Sequence, residues 1–140
     1  MVLQEYRPDA AEVAAAWLAA FAVGVPQEVL QQRVLADGNF LWHIFSWTLV
    51  PCLCGDAARE AFDALKYESA LMFSSGFAYN GIQIEDLHLT GKISSAELDE
   101  YDDVYVVDLA YGWTYVHTHE ERCGPYFCRK GLGEQQTVKL

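Results

Sequence analysis

Apolar positions recur at helical spacing in the first third of the chain and at alternating spacing near its end. Val13, Trp17, Ala20, Phe21 and Gly24 fall on one side of a 3.6-residue period and predict a buried helical stripe. That helix is expected to start near Pro8, with Asp9 and Glu12 as a capping pair, and to break at Val25-Pro26. A second helix is expected from about Pro26 to Ala36, with Leu30 and Val34 inward and Asp37-Gly38 as its stop. The pair reads as an N-terminal helical hairpin over residues 8–36 with a structural role.

Asn39 to Trp47 is dense in aromatic and branched residues and apolar at both odd and even positions, which predicts a central strand covered on both faces. A third helix is expected from Asp56, as N-cap, to about Lys66, with Ala58, Ala61, Phe62 and Leu65 inward. Leu71-Met72-Phe73 is a further strand candidate. Phe77, Tyr79, Ile82 and Ile84 flank Asn80-Gly81, the dipeptide of a tight hairpin turn, although Ser74-Ser75-Gly76 would also suit a loop. Ser94 and Glu97 are spaced as a capping box. The acidic residues from Glu97 to Asp103 read as a solvated surface.

The segment from Asp103 to Arg129 organises the rest. Two beta runs flank a turn at Ala110-Tyr111-Gly112, and alternation along the second places Trp113, Tyr115, His117 and His119 on one face. The fold expected is a single α+β domain spanning 1–140: a mostly antiparallel sheet of four to six strands over 40–129, about three helices packed on it, and a flexible tail at 131–140.

Composition narrows the classes of function. At 52% hydrophobic and 14% aromatic residues the chain is rich enough to pack a core. Twenty acidic against nine basic side chains give a net charge of −11, which repels phosphate backbones and anionic membranes and leaves a basic protein or a small ligand as expected partner. The uncharged run Val13–Val25 is too short for a bilayer, and Glu5, Asp9 and Glu12 before it have the wrong sign for a signal sequence, so a cytoplasmic location is expected. Cys52, Cys54, Cys123 and Cys128 are then expected as thiols, and no cofactor is expected.

Nucleotide-loop, serine-elbow and zincin signatures are missing, as is the calcium-loop pattern. His117 and His119, with Cys123 and Cys128, are weak metal candidates, since tetrahedral zinc takes such ligands but at other spacings. A cysteine–histidine nucleophile from the same residues would need a depressed thiol pKa. Glu120 and Glu121 offer paired carboxylates, and Trp42, Trp47, Trp113, Tyr115, Tyr126 and Phe127 supply side chains of the kind enriched at binding hot spots.

The blocks Phe40-Leu41-Trp42-His43-x-Phe45-Ser46, Asp103-Val104-Tyr105-Val106-Val107-Asp108, Trp113-Thr114-Tyr115-Val116, Thr118-His119-Glu120 and Gly124-Pro125-Tyr126-Phe127 resemble a family of small uncharacterised bacterial proteins, over about Phe40 to Phe127. The resemblance implies a group and no activity. It directs attention to His43, Ser46, Trp113, Tyr115, His119, Glu120 and Tyr126, and leaves His117 and the cysteines outside the pattern. With Trp42, these form the expected binding set of a non-enzymatic acidic protein, an immunity-type or regulatory module. The alternative is a small metal- or histidine-dependent enzyme using His43, His119 and Glu120.

Overall fold

The computed structural model describes residues 3–5, 10–34, 41–78, 81–120 and 124–130. Among these the strands are β1 (Leu3–Glu5), β2 (Leu53–Cys54), β3 (Ala70–Ala78), β4 (Gly81–Thr90), β5 (Val104–Asp108), β6 (Trp113–His117) and β7 (Tyr126–Arg129). They form one sheet in the order β1-β4-β3-β5-β6-β7-β2, with every pairing antiparallel. The five longer strands make its body, and the edge strands β1 and β2 are short. The helices are α1 (Ala10–Phe21), α2 (Gln27–Val29), α3 (His43–Ser46), α4 (Asp56–Asp63) and α5 (Ser95–Leu98). The architecture is α+β, with more and shorter helices than the three expected.

Alternation along the central strands splits the core into two. Leu71, Phe73, Tyr105, Val107, Val116, Tyr126 and Cys128 face one side, where α1 and α3 pack. Ala70, Met72, Val104, Val106, Trp113, Tyr115 and Phe127 face the other, where α4 supplies Ala58 and Phe62. The doubly covered strands are therefore β5 and β6, each buried at its first four positions. Trp17 centres the first core: it is 0% exposed, crosses the Tyr105 ring edge-on at 5.5 Å, and donates its indole N–H to Thr114 Oγ1 at 3.0 Å. Thr114 Oγ1 donates in turn to the Val106 carbonyl, so this polar link through the layer is satisfied.

The N-terminal stripe forms as expected at Val13, Trp17, Ala20 and Phe21, but Gly24 lies exposed beyond the helix end at φ +85°. That conformation suits glycine, because it carries no Cβ to clash in the left-handed region. The second helix is a short α2 continued by a π-helical stretch, Leu30–Val34, which still buries Leu30 and Val34. Pro8, Asp9, Asp37, Gly38 and the tail at 131–140 lie outside the described residues.

The largest correction concerns Asn39–Trp47. From Leu41 this segment is a turn leading into α3, not a strand: Ser46 N bonds the Trp42 carbonyl and Trp47 N the His43 carbonyl. An apolar run on both faces fits either a sandwiched strand or a helical turn enclosed by its neighbours, and periodicity alone does not separate them. Here Leu41, Trp42, Ile44 and Phe45 are all buried, while β5 and β6 take the doubly covered strand positions. Smaller shifts follow local chemistry. Asp56 is the first residue of α4 and Gly55, at φ +64°, precedes it as cap. Ala78 pairs with Gly81, so the two-residue link between β3 and β4 is 79–80, outside the described residues, one step earlier than Asn80-Gly81.

Candidate functional site

Val104 pairs with His117, so the last acidic residue before β5, Asp103, stands beside the end of β6. Its carboxylate is 14% exposed and gathers three donors: Trp42 Nε1 at 3.0 Å, His119 backbone N at 3.2 Å, and His119 Nδ1 at 2.9 Å from each oxygen. One side chain thus ties the approach to α3, the start of β5 and the residues after β6. The hydrogen bond to Asp103 raises the His119 pKa above its ordinary value, opposed by burial and supported by the charges of Asp103, Glu120 and Asp102. The Glu120 carboxylate lies 3.8 Å from His119 Nε2.

Across the same corner, His43 stacks on Trp47 at 4.2 Å and packs on Trp42 at 4.3 Å, and its Nδ1 lies 2.9 Å from Ser46 Oγ. Partial burial lowers the His43 pKa, opposed by the charges of Glu120 and Asp103 and reinforced by that of His119. Trp42 also meets the His119 ring edge-on at 5.8 Å. The corner therefore holds two imidazoles whose environments push them in opposite directions.

The acidic segment beyond is exposed, as expected for a solvated surface, and it is also fastened to its neighbours. Ser94 and Glu97 form the expected capping box at the start of α5, and Ser95 bonds Asp63 through both backbone and hydroxyl. Arg59 reaches Asp99 at 2.8 Å, His117 Nε2 lies 3.4 Å from the same carboxylate, and His117 Nδ1 donates to the Asp102 carbonyl at 3.1 Å. Between these anchors Glu100, Tyr101 and Asp102 point outward, Tyr101 being 40% exposed. A cavity of about 450 Å³ lies alongside, walled by Arg59, Asp99, Asp102, His117, His119 and Pro125.

The expected binding set divides accordingly. His43, Ser46, His119 and Glu120 come to the corner, with Trp42 as its buried floor at 0% exposure. Trp113, Tyr115 and Tyr126 do not: all three are core, the first two on the opposite sheet face from Tyr126. His117 and His119 do not share a face, because β6 ends at His117 and the alternation stops there; one turns to Asp99 and Asp102, the other to Asp103 and Trp42. Cys128 is buried in the first core, where desolvation pushes its thiol, like that of Cys52, up to about 12, the wrong direction for a nucleophile. Cys52, Cys54 and Cys128 are free thiols, and Cys123 lies outside the described residues with Glu121 and Arg122. Among the described residues no three His, Cys, Asp or Glu side chains gather as a metal site, and no helix is long and apolar enough to cross a membrane.

A family model described as Domain of unknown function (DUF4275) matches residues 7–127. The chain belongs to this family. Comparison with curated proteins and with solved structures returns no match. The DUF4275 match takes in α1 and α2 as well as strands β2 to β6 and the start of β7, a wider span than Phe40–Phe127. That extent agrees with the packing, since Trp17 of α1 is built into the sheet through Thr114. Within this DUF4275 chain, Asp103, Asp99 and Tyr101 are the site residues that sequence reasoning missed. The available signal was the hairpin itself: pairing the strands across the 109–112 turn sets Asp103 opposite Thr118, next to both histidines.

Proposed function

We propose that this protein is a non-enzymatic acidic binding domain that recognises a basic protein partner through the Asp99–Asp103 segment and the adjoining His119-Glu120 corner. The observation that carries the reading is the fastening of that segment. Side chains from α4, from the approach to α3 and from the end of β6 hold it, while Glu100, Tyr101 and Asp102 stay exposed. An exposed tyrosine among carboxylates combines an aromatic anchor with charge complementarity, and a held backbone loses little entropy on binding. The net charge of −11 adds attraction toward a basic partner at a distance. An immunity-type inhibitor masking a basic toxin or nuclease is the concrete version, in the cytoplasm, where the free thiols Cys52, Cys54 and Cys128 fit. The test is capture from the native cell extract at physiological salt, with wild type beside a Glu100→Lys/Tyr101→Ala variant. A basic protein retained by the wild type and released by the variant supports the reading; the same proteins retained by both would sink it.

A second reading takes the corner as a histidine-dependent acid–base site. It is favoured by the opposite shifts of His43 and His119, with Ser46 and Glu120 beside them. Turnover of ester and phosphoester substrates by the purified protein, abolished by His43→Ala and by His119→Ala, would support it. Turnover that survives both changes removes it.

A further inference from the structure

The short edge strand β2 brings together two cysteines that lie far apart in the chain. In its pairing with β7, Leu53 stands opposite Phe127 and Cys54 opposite Tyr126. Carried one residue back, the same register sets Cys52 opposite Cys128. One step the other way, the Gly55 N–H donates to the Pro125 carbonyl at 2.9 Å, which makes 55 and 125 a hydrogen-bonded pair. Bonded and non-bonded pairs alternate along an antiparallel ladder, so Cys52 and Cys128 fall on a non-bonded one. Such pairs have the closer backbones, with Cα atoms about 4.5 Å apart, and a disulfide takes Cα separations of about 4.4–6.8 Å.

Both thiols also turn the same way. Cys128 is buried in the core on the α1 side of the sheet, and Cys52 packs against that same core. The Cys128 S–H donates to the Pro51 carbonyl at 3.7 Å, so its sulfur lies against the backbone next to Cys52. Cys54 is exposed and stands opposite Tyr126 instead. Burial pushes both Cys52 and Cys128 up to about 12, and at Cys52 the neighbouring Cys128 adds to the effect. Both are therefore protonated at neutral pH, and their exchange with an oxidant is slow.

We propose that Cys52 and Cys128 are the site of a reversible cross-strand disulfide, formed by exchange with a small disulfide such as glutathione disulfide. Cys52, the more accessible of the two, attacks one sulfur of the oxidant as its thiolate. The S–S bond of the oxidant breaks, one small thiol leaves with the proton that Cys52 gave up, and a mixed disulfide stands on Cys52. Cys128 then attacks the Cys52 sulfur, and the second small thiol leaves with the Cys128 proton. Two protein thiols are oxidised and one small disulfide is reduced to two thiols. The bond ties the link between α3 and α4 to β7, and so acts on the two elements that carry Ser46 and Arg59.

The test incubates the full folded chain with glutathione disulfide in mildly alkaline buffer and maps its peptides by mass. A peptide linking Cys52 to Cys128 is expected, and a dithiol should release it. Cys54→Ser and Cys123→Ser should each form the linkage as the wild type does. Cys52→Ser, at a partly exposed position, should abolish it while the circular dichroism spectrum stays native. Cys128→Ser should leave Cys52 as its glutathione adduct. The linkage closes a long loop and should raise the unfolding temperature by about 10 °C. The inference falls if the folded chain keeps both residues as thiols, if Cys52 of the wild type stops at the glutathione adduct, or if it links to Cys54 or to another chain. A linkage that forms only in urea overturns it as well, since the folded register then does not hold the pair within reach.

Discussion

The hairpin of β5 and β6 has two ends built by different means. At its closed end the bonds that Asp108 makes are near in sequence. The Asp108 carbonyl accepts from Tyr111 N at 2.8 Å and its carboxylate from Gly112 N at 3.0 Å. At its open end, Asp103 reaches Trp42, 61 positions away, and Asp99 reaches Arg59, 40 positions away. The same two strands thus finish in a local turn on one side and a junction of distant segments on the other. At the junction folding brings unlike side chains together, His43 and Ser46 from one segment and His119 and Glu120 from another.

The sharpest way to break this contrast is to remove one carboxylate from each end. Asp103→Ala removes the carboxylate to which the buried Trp42 indole N–H, the His119 backbone N–H and the His119 ring donate, and is expected to cost about 3 kcal/mol. Asp108→Ala removes a single hydrogen bond to a partly exposed backbone amide and is expected to cost about 1 kcal/mol. Urea unfolding of the two variants measures both. An Asp108→Ala loss equal to or above that of Asp103→Ala would mean the open end is not the more tightly tied of the two.

The contrast also explains what the sequence could and could not disclose. The helix stripe of α1, the strand pair 104–117 and the Ser94–Glu97 box were legible because each is written in residues a few positions apart. The corner was half legible: His43, Ser46, His119 and Glu120 belong to it, but nothing adjacent to Asp103 reveals that its partners are Trp42 and His119. Trp113, Tyr115 and Tyr126 lie in the core and not at the corner; large aromatics serve core and interface equally, and packing such as that of Phe62 against Tyr115 or of Phe45 against Tyr126 is not written in the local sequence. The segment at 41–47 misled for a related reason: its apolar positions are satisfied by neighbours distant in sequence, and those neighbours chose a helical turn.

Within the closed end, locality itself can be tested. A Cβ at Gly112 would meet Asp108 Oδ2 at 2.9 Å, so the carboxylate must swing away and give up its bond to the Gly112 amide. Gly112→Ala is expected to cost about 1 kcal/mol in the wild type. In an Asp108→Ala background the obstacle is gone and the same change should cost close to nothing, a coupling that a double-mutant cycle reads directly. Equal costs in the two backgrounds would show that Gly112 answers to some constraint other than Asp108.

The smallest expected effect lies at the open end and depends on pH. His119 has a raised folded pKa, so the stability it draws from Asp103 is fully present below the ordinary value of 6.5 and is lost as pH rises through the folded value above it. His43, shifted downward by burial, acts on the other flank: stability falls as pH drops from 6.5 toward its folded value, because protonation then favours the unfolded chain. His119→Asn keeps a donor near the Nδ1 position without the titration. Its stability deficit against the wild type should therefore be largest below pH 6.5 and shrink above it, while the His43 flank stays as it was. Because His119 is 43% exposed, screening holds the change to under about 1 kcal/mol. Unfolding midpoints measured on both sides of that pH decide it. A deficit that stays constant would mean that the His119–Asp103 contact acts as a neutral hydrogen bond, and that the open end owes its tightness to the Trp42 and backbone donors alone.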